Sequence, residues 1–285
     1  MLPVRPRHPY IEYRYQNERS PGGMARKNGS PMLSVVSYNV LSDSNSTRVR
    51  YYPDCELDRA RRQDILLREV FSMRADVLCL QDVNLFHQWW GAQLTDAGYD
   101  SLFKQRTSKS AKHREGVVIA RKRDVFDLFR NADMELNRRL GEDEDDRELA
   151  RRAATSDNVA LMLLLQPLQE GAQECAYPSG ACVVCTQLYD EQVPTGDAVR
   201  TLQTCGLTRS IEAFNSDFHL PVVLCGTMNF VPSSGAYKIL CHGVMAIDPA
   251  LPRPPGKSFV DPRRQVRHAF DGRRPKKITR LSARQ

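Results

Sequence analysis

The apolar runs of this chain are short, and that limits its fold more than any other feature. The longest, Val159-Ala160-Leu161-Met162-Leu163-Leu164-Leu165, is closed by Gln166 and Pro167. A membrane-spanning helix needs about 20 consecutive apolar residues, so no run spans a bilayer. A run of this length with β-branched neighbours reads as a buried strand. Comparable runs predict strands over 33–41, 75–81, 99–104, 116–121, 125–134, 158–166, 181–188 and 221–225. Helical spacing appears over 58–73, where Leu66, Val70 and Met73 fall on one face. It recurs over 86–97, part of 197–216, and 234–240. Several strands follow one another with no helix between, which fits a mixed sheet layered with helices. No internal repeat is visible.

Charge divides the chain into three parts. Residues 1–30 hold six basic and two acidic groups, and residues 252–285 hold eleven basic and two acidic. Since the whole chain is +7, the remainder carries −6. The first thirty residues are rich in Pro, Arg and Gly and end in Ser20-Pro21-Gly22-Gly23, a breaker cluster. We read 1–30 as an arm, 31–251 as the folded domain and 252–285 as a basic, extended tail. A positive surplus suggests a nucleic-acid partner, and the two ends are where it is concentrated. Glu142 to Asp146 and the arginines after it read as a solvated face.

The cysteines suggest an intracellular protein. Cys79, Cys182, Cys185 and Cys225 sit in apolar runs, and Cys182 and Cys185 form a C-x-x-C with no second pair at zinc-ribbon spacing. They read as buried strand thiols. No secretory leader pattern is visible at the N-terminus. Arg5, Arg7, Arg14 and Arg19 have the composition of a transit peptide, while Glu12, Glu18 and the prolines interrupt an amphipathic helix. Cytoplasm and mitochondrion both stay open. The pair Trp89-Trp90 can stack a base, but its closeness to Phe86 favours a core role.

Three stretches place amide or carboxylate side chains at the ends of predicted strands: Ser37-Tyr38-Asn39, Leu80-Gln81-Asp82-Val83 and Cys225-Gly226-Thr227-Met228-Asn229. Hard divalent cations take such oxygen ligands, and the strand ends of an α/β sheet are a common ligand site. Asn39 could equally satisfy a turn, and Asp82 could cap the helix at Phe86.

The order of the motifs is SYNVL (37–41), ADVLCLQDV (75–83), REGVVIARK (114–122), DNVALMLLLQP (157–167), VVCTQL (183–188) and PVVLCGTMNFVPSSGAYKIL (221–240). It resembles the exonuclease–endonuclease–phosphatase superfamily over roughly 31–245, and most of all its deadenylase-related branch of nocturnin-like and angel-like proteins. The resemblance implies a four-layered α/β sandwich, two mixed sheets flanked by helices. It also implies Mg²⁺-dependent phosphoester hydrolysis, often on poly(A) RNA.

Carried over residue by residue, the resemblance gives a depleted site. Asn39 matches the metal-site asparagine, and Asn229 the amide that steadies the phosphate. Asp82 stands in place of a metal-ligating glutamate, one methylene shorter, and Glu115 in place of an aspartate. Gln187 replaces the histidine that contacts the scissile phosphate, and Cys185 an asparagine. Thr227 replaces the aspartate that orients water, and a threonine hydroxyl is no base near neutral pH. The family's closing D-Y-I strand and S-D-H motif have no counterpart, so the last strands of the sandwich are expected to be missing. His219 and His242 read as surface or turn residues.

These readings add up to a pseudo-nuclease that binds RNA or assembles into a ribonucleoprotein. Magnesium is expected only if Asn39 and Asp82 still hold it. The alternative is an active Mg²⁺-dependent 3′-exoribonuclease. The candidate RNA-binding residues are Lys104, Arg106 and Lys109 near the cleft and Arg263, Arg264, Arg267, Arg273, Arg274, Lys276 and Lys277 in the tail. Absent final strands would also expose a sheet edge, to be covered by a protein partner or by the chain's own tail.

Overall fold

The computed structural model describes residues 33–43, 59–107, 114–137, 153, 155–168, 180–191, 193 and 195–242. The arm 1–30, the acidic run after Gly141 and the basic tail 252–285 lie outside the described residues, as does Lys109. Strands β1 (Val35–Asn39), β2 (Val77–Val83), β3 (Tyr99–Gln105) and β4 (Gly116–Lys122) form one sheet in the order β1-β2-β4-β3. Strands β5 (Phe126–Glu135), β6 (Val159–Pro167), β7 (Ala181–Gln187) and β8 (Val222–Thr227) form the second, in that order. The helices are α1 (Arg59–Ser72), α2 (Gly91–Asp96), α3 (Gly196–Asn215) and α4 (Gly235–His242).

The run at 159–165 shows why the sandwich forms. Its odd residues Leu161, Leu163 and Leu165 point between the sheets, against Val77, Cys79, Val117 and Ile119. Its even residues Met162 and Leu164 point outward, against Leu207, Ile211 and Phe214 of α3. A strand apolar on both faces must be covered on both faces, and the period of two supplies one set of side chains to each. On the other sheet, Leu78, Leu80, Val118 and Ala120 pack against Val70, Trp90 and Leu94. The layers are therefore helix, sheet, sheet, helix, as the family resemblance implied. The C-x-x-C follows the same alternation: Cys185 faces the inter-sheet core and Cys182 the helix side, both fully buried.

Two details differ from the reading of the sequence. The second strand runs through Asp82 to Val83, with a bulge between Leu80 and Val83 that puts Asp82 at φ 61°. The helix expected over 86–97 opens as a π-helical turn, Phe86–Trp90, before α2, and its N-cap residue Leu85 has φ 54°. No side chain caps that turn, so Asp82 does not. Trp90 is buried and Trp89 packs on the same cluster, in accord with a core role.

The pairs β1–β2 and β7–β8 are parallel; the other ladders are antiparallel. Among the described residues, β1 and β8 are each paired on one side only. They end their sheets on the same side of the sandwich and lie against each other. This brings the C-terminal ends of β1, β2, β7 and β8 to one rim, where the predicted site residues lie.

Candidate functional site

Strand register assembles the site. Asn39 pairs with Gln81 in the first sheet, and Gln187 with Thr227 in the second. The two pairs meet between the sheets. Asn39 Nδ2 donates to Thr227 Oγ1 at 2.8 Å, and the Thr227 hydroxyl lies 3.4 Å from Gln81 Oε1 as its donor. Gln81 Nε2 has three acceptors in reach: the Cys79 carbonyl at 2.8 Å, Ser37 Oγ at 3.2 Å and Cys185 Sγ at 3.3 Å. Asn39 Oδ1 accepts the N–H of Leu41 at 2.9 Å, which is the turn role its sequence position allowed. Gln187 is 5% exposed, and its Oε1 has no hydrogen-bond partner. Gly226 lets β8 approach this closely, because a Cβ there would stand 2.3 Å from the Thr186 carbonyl oxygen.

One strand level below, Ser37 pairs with Cys79 and Cys185 with Cys225. Hydrogen bonding with Cys185 and Cys225, then burial, pushes the Cys79 thiol up. The Cys225 thiol is lowered, chiefly by its hydrogen bond with Cys79, against the opposing effect of burial. The layer beneath the site is thus thiol and hydroxyl, and the site layer itself is amide and hydroxyl. The amide and hydroxyl side chains of the site layer do not ionise near neutral pH.

Asp82 and Asn229 are occupied elsewhere. The Asp82 carboxylate is 2% exposed and accepts the N–H of Ser42 at 3.0 Å, which ties the bulge of β2 to the loop after β1. Asn229, at φ 54°, donates to the Leu188 carbonyl at 2.8 Å and so holds the turn after β8 against the end of β7. The structure therefore joins Asn39, Thr227 and Gln187 in one layer and gives Asp82 and Asn229 bracing contacts. Gln81, the connecting residue, carried no assigned role in the sequence. Its register opposite Asn39 follows only from the parallel pairing of β1 and β2.

Carboxylates of the same chain engage both Lys104 and Arg106. Lys104 Nζ lies 2.8 Å from Asp133 and 4.0 Å from Glu135. The Arg106 side chain is 9% exposed; its Nε donates to Asp157 Oδ1 at 2.8 Å and Nη1 lies 3.9 Å from Glu115. Burial alone would lower the Arg106 pKa, but Asp157 and the neighbouring carboxylates carry it above its ordinary value.

A family model described as the endonuclease/exonuclease/phosphatase family matches residues 36–267. The chain belongs to this family. Among curated relatives, it is 28% identical over 246 residues to carbon catabolite repressor protein 4 homolog 2 of Arabidopsis thaliana, covering 80% of this chain and 40% of the relative. It is 29% identical over 241 residues to the CCR4-Not complex 3′-5′-exoribonuclease subunit Ccr4 of Saccharomyces cerevisiae, covering 75% of this chain and 27% of that one. The chain thus spans less than half the length of these relatives. Among solved structures, ANGEL2, a 2′,3′-cyclic phosphatase, in complex with adenosine-2′,3′-vanadate superposes with a TM-score of 0.61 at 29% identity, over 74% of this chain and 57% of that one. The human nocturnin catalytic domain superposes with a TM-score of 0.58 at 19% identity, over 74% and 68%, and supports the fold.

Deadenylases of this family generally use Mg²⁺. Asn39 and Asp82 are the two candidate ligands, but their oxygens accept the consecutive N–H groups of Leu41 and Ser42, and Asp82 is turned through the bulge. Among the described residues, no three His, Cys, Asp or Glu side chains converge to hold a metal. Mg²⁺ requires near-octahedral oxygen ligands at about 2.0–2.1 Å. As folded here, Asn39 and Asp82 do not offer that arrangement.

Proposed function

We propose that the protein is a catalytically impaired family member that serves as an RNA-binding or ribonucleoprotein-assembly subunit inside the cell. The neutral layer Asn39–Gln81–Thr227–Gln187 carries this reading. Phosphoester hydrolysis needs charge to stabilise the developing oxyanion and a group to orient water. The layer offers amides and a hydroxyl in those places. Losing one member of a cooperating catalytic set costs orders of magnitude in rate, and further losses are not additive. RNA contact falls to the tail arginines and lysines, Arg263 to Lys277 among them, because Lys104 and Arg106 are held in ion pairs.

The competing reading is an active Mg²⁺-dependent 3′-exoribonuclease. It is favoured by the Ccr4 relatives, which are exoribonuclease subunits. Incubating pure full-length chain with adenosine-tailed RNA and Mg²⁺ separates the two. The pseudo-nuclease leaves the tail intact; shortening that Asn229→Ala abolishes establishes the exoribonuclease. Binding is tested by salt titration. Retention of RNA that weakens steeply with salt and drops when 252–285 is deleted supports the tail as the contact. Retention unchanged by the deletion removes it.

A further inference from the structure

The thiols beneath the site layer are nucleophiles that the proposed function leaves unused. The sequence singles out Cys182 and Cys185 as a pair, but strand alternation sends them to opposite faces of β7, so the C-x-x-C does not bring two sulfurs together. The sulfurs that do meet come from three strands and both sheets. Cys79 of β2 hydrogen-bonds with Cys185 of β7 and with Cys225 of β8, and Cys225 also hydrogen-bonds with Ser37 of β1. Small side chains in this layer let the sheets come close: Cα atoms of β2 lie within 8 Å of Cα atoms of β7 and β8, where stacked sheets usually stand about 10 Å apart. Thiols already in hydrogen-bond contact need only a small movement to reach bonding distance, about 2.05 Å.

The two neighbours of Cys79 differ. Cys185 is fully buried, and its sulfur is held by the site layer, 3.3 Å from Gln81 Nε2 and 3.6 Å from the Leu80 carbonyl. Cys225 is only partly buried and sits on a strand that, among the described residues, is paired on one side only. Its hydrogen bond with Cys79 lowers its pKa, and one with Ser37 adds to this, against the effect of burial. A partly exposed thiol whose thiolate accepts two hydrogen bonds is the reactive kind. Its fully buried neighbour Cys79 is pushed the other way and stays protonated. An attacking thiolate within reach of solvent, backed by a second thiol, is the arrangement in which oxidation proceeds through a sulfenic acid to a disulfide.

We infer that Cys79 and Cys225 form a modification site, at which a hydroperoxide oxidises Cys225 and Cys79 resolves the product to a disulfide joining the two sheets. The Cys225 thiolate attacks one peroxide oxygen and breaks the O–O bond, which leaves a sulfenic acid and releases hydroxide. The Cys79 sulfur then attacks the sulfenic sulfur. The S–S bond forms, the S–O bond breaks, and the departing hydroxide takes the Cys79 proton and leaves as water. The two sulfurs give up two electrons, and the two peroxide oxygens take them. The disulfide ties β2 to β8 one strand level beneath the Asn39–Thr227 hydrogen bond, so it fixes the sheet spacing at the rim covalently.

Peptide mapping of the full chain tests this. The reduced protein, freed of reductant, is treated with a small excess of hydrogen peroxide near neutral pH, alkylated, digested without reduction and read by mass spectrometry. A peptide pair joined through Cys79 and Cys225 is expected, and dithiothreitol added before digestion removes it. Cys225→Ser loses the pair. Cys79→Ser leaves Cys225 as a sulfenic acid that dimedone captures, while Cys185→Ser keeps the pair. Circular dichroism of each variant before oxidation reports that the fold survives, and the mapping of the unaltered chain decides the matter even if a variant does not fold. Cys79 joined to Cys185 instead, a Cys79–Cys225 pair that forms only in urea, or peroxide-treated chain in which Cys225 stays a free thiol each overturns the inference. No step involves RNA, so this inference and the proposed function fail independently.

Discussion

Two polar clusters lie toward the same end of the sandwich, and they have opposite character. Arg106 with Asp157 and Glu115 is charged, buried and ties β3 and β4 to the start of β6. Asn39, Gln81, Thr227 and Gln187 are neutral, and their layer opens at the β1/β8 side, where Asn39 is exposed. Charge fastens strands in the first cluster, and amides and a hydroxyl make up the second. Buried charge is tolerated only when paired, so it marks structure in the first cluster. In the second, neutral hydrogen bonds join the sheets.

The sharpest way to break this contrast is to remove Arg106. Arg106→Ala leaves two carboxylates facing each other without their cation, and should cost about 3–5 kcal/mol by urea denaturation. A loss below 1 kcal/mol would show that the cluster is not structural. Alkali should act next. Burial pushes the Cys182 thiol up to about 11 from 9.0, so the folded state favours the protonated form. Its stabilisation is complete below about pH 9 and is lost as pH rises toward 11, on the order of 1–2 kcal/mol after allowance for solvent screening. Denaturation midpoints at pH 8 and pH 10.5 should separate, and Cys182→Ala should reduce the gap.

Gln187→Leu probes the neutral cluster. It removes a buried acceptor with no partner, so stability should hold or rise by about 1 kcal/mol; a clear loss would mean that the amide is needed to join the sheets. The smallest effect is expected for Lys104→Ala, below about 1 kcal/mol, because its partner Asp133 is half exposed and water screens the pair. Had Lys104 and Arg106 equal effects, the distinction between a surface pair and a buried one would fail here.

The strands were legible because each is a short apolar run of the right length, and the order of motifs carried the family and its layers. The π-helical turn after Leu85 was not, since it depends on a left-handed residue that no pattern announces. The site was half legible. Asn39, Thr227 and Gln187 were found at strand ends and do meet. Asp82 was placed as a ligand by alignment with a motif, while its orientation depends on a bulge that opens where β2 leaves its register with β4. Lys104 and Arg106 looked like a basic stretch because their partners are distant in sequence: Asp133 and Asp157 become neighbours only when β5 and β6 cross the other sheet.

The sequence by itself determined the strands, the two-sided apolar faces that force a sandwich, and the neutral residues Gln187 and Thr227 at the strand ends. These are local properties of residue type and period. The tertiary structure alone decided which charges are paired, which way Asp82 faces, that Gln81 links the sheets, and that β8 ends its sheet among the described residues. Each of those depends on contacts between residues far apart in the chain, and sheet register and layer packing set them.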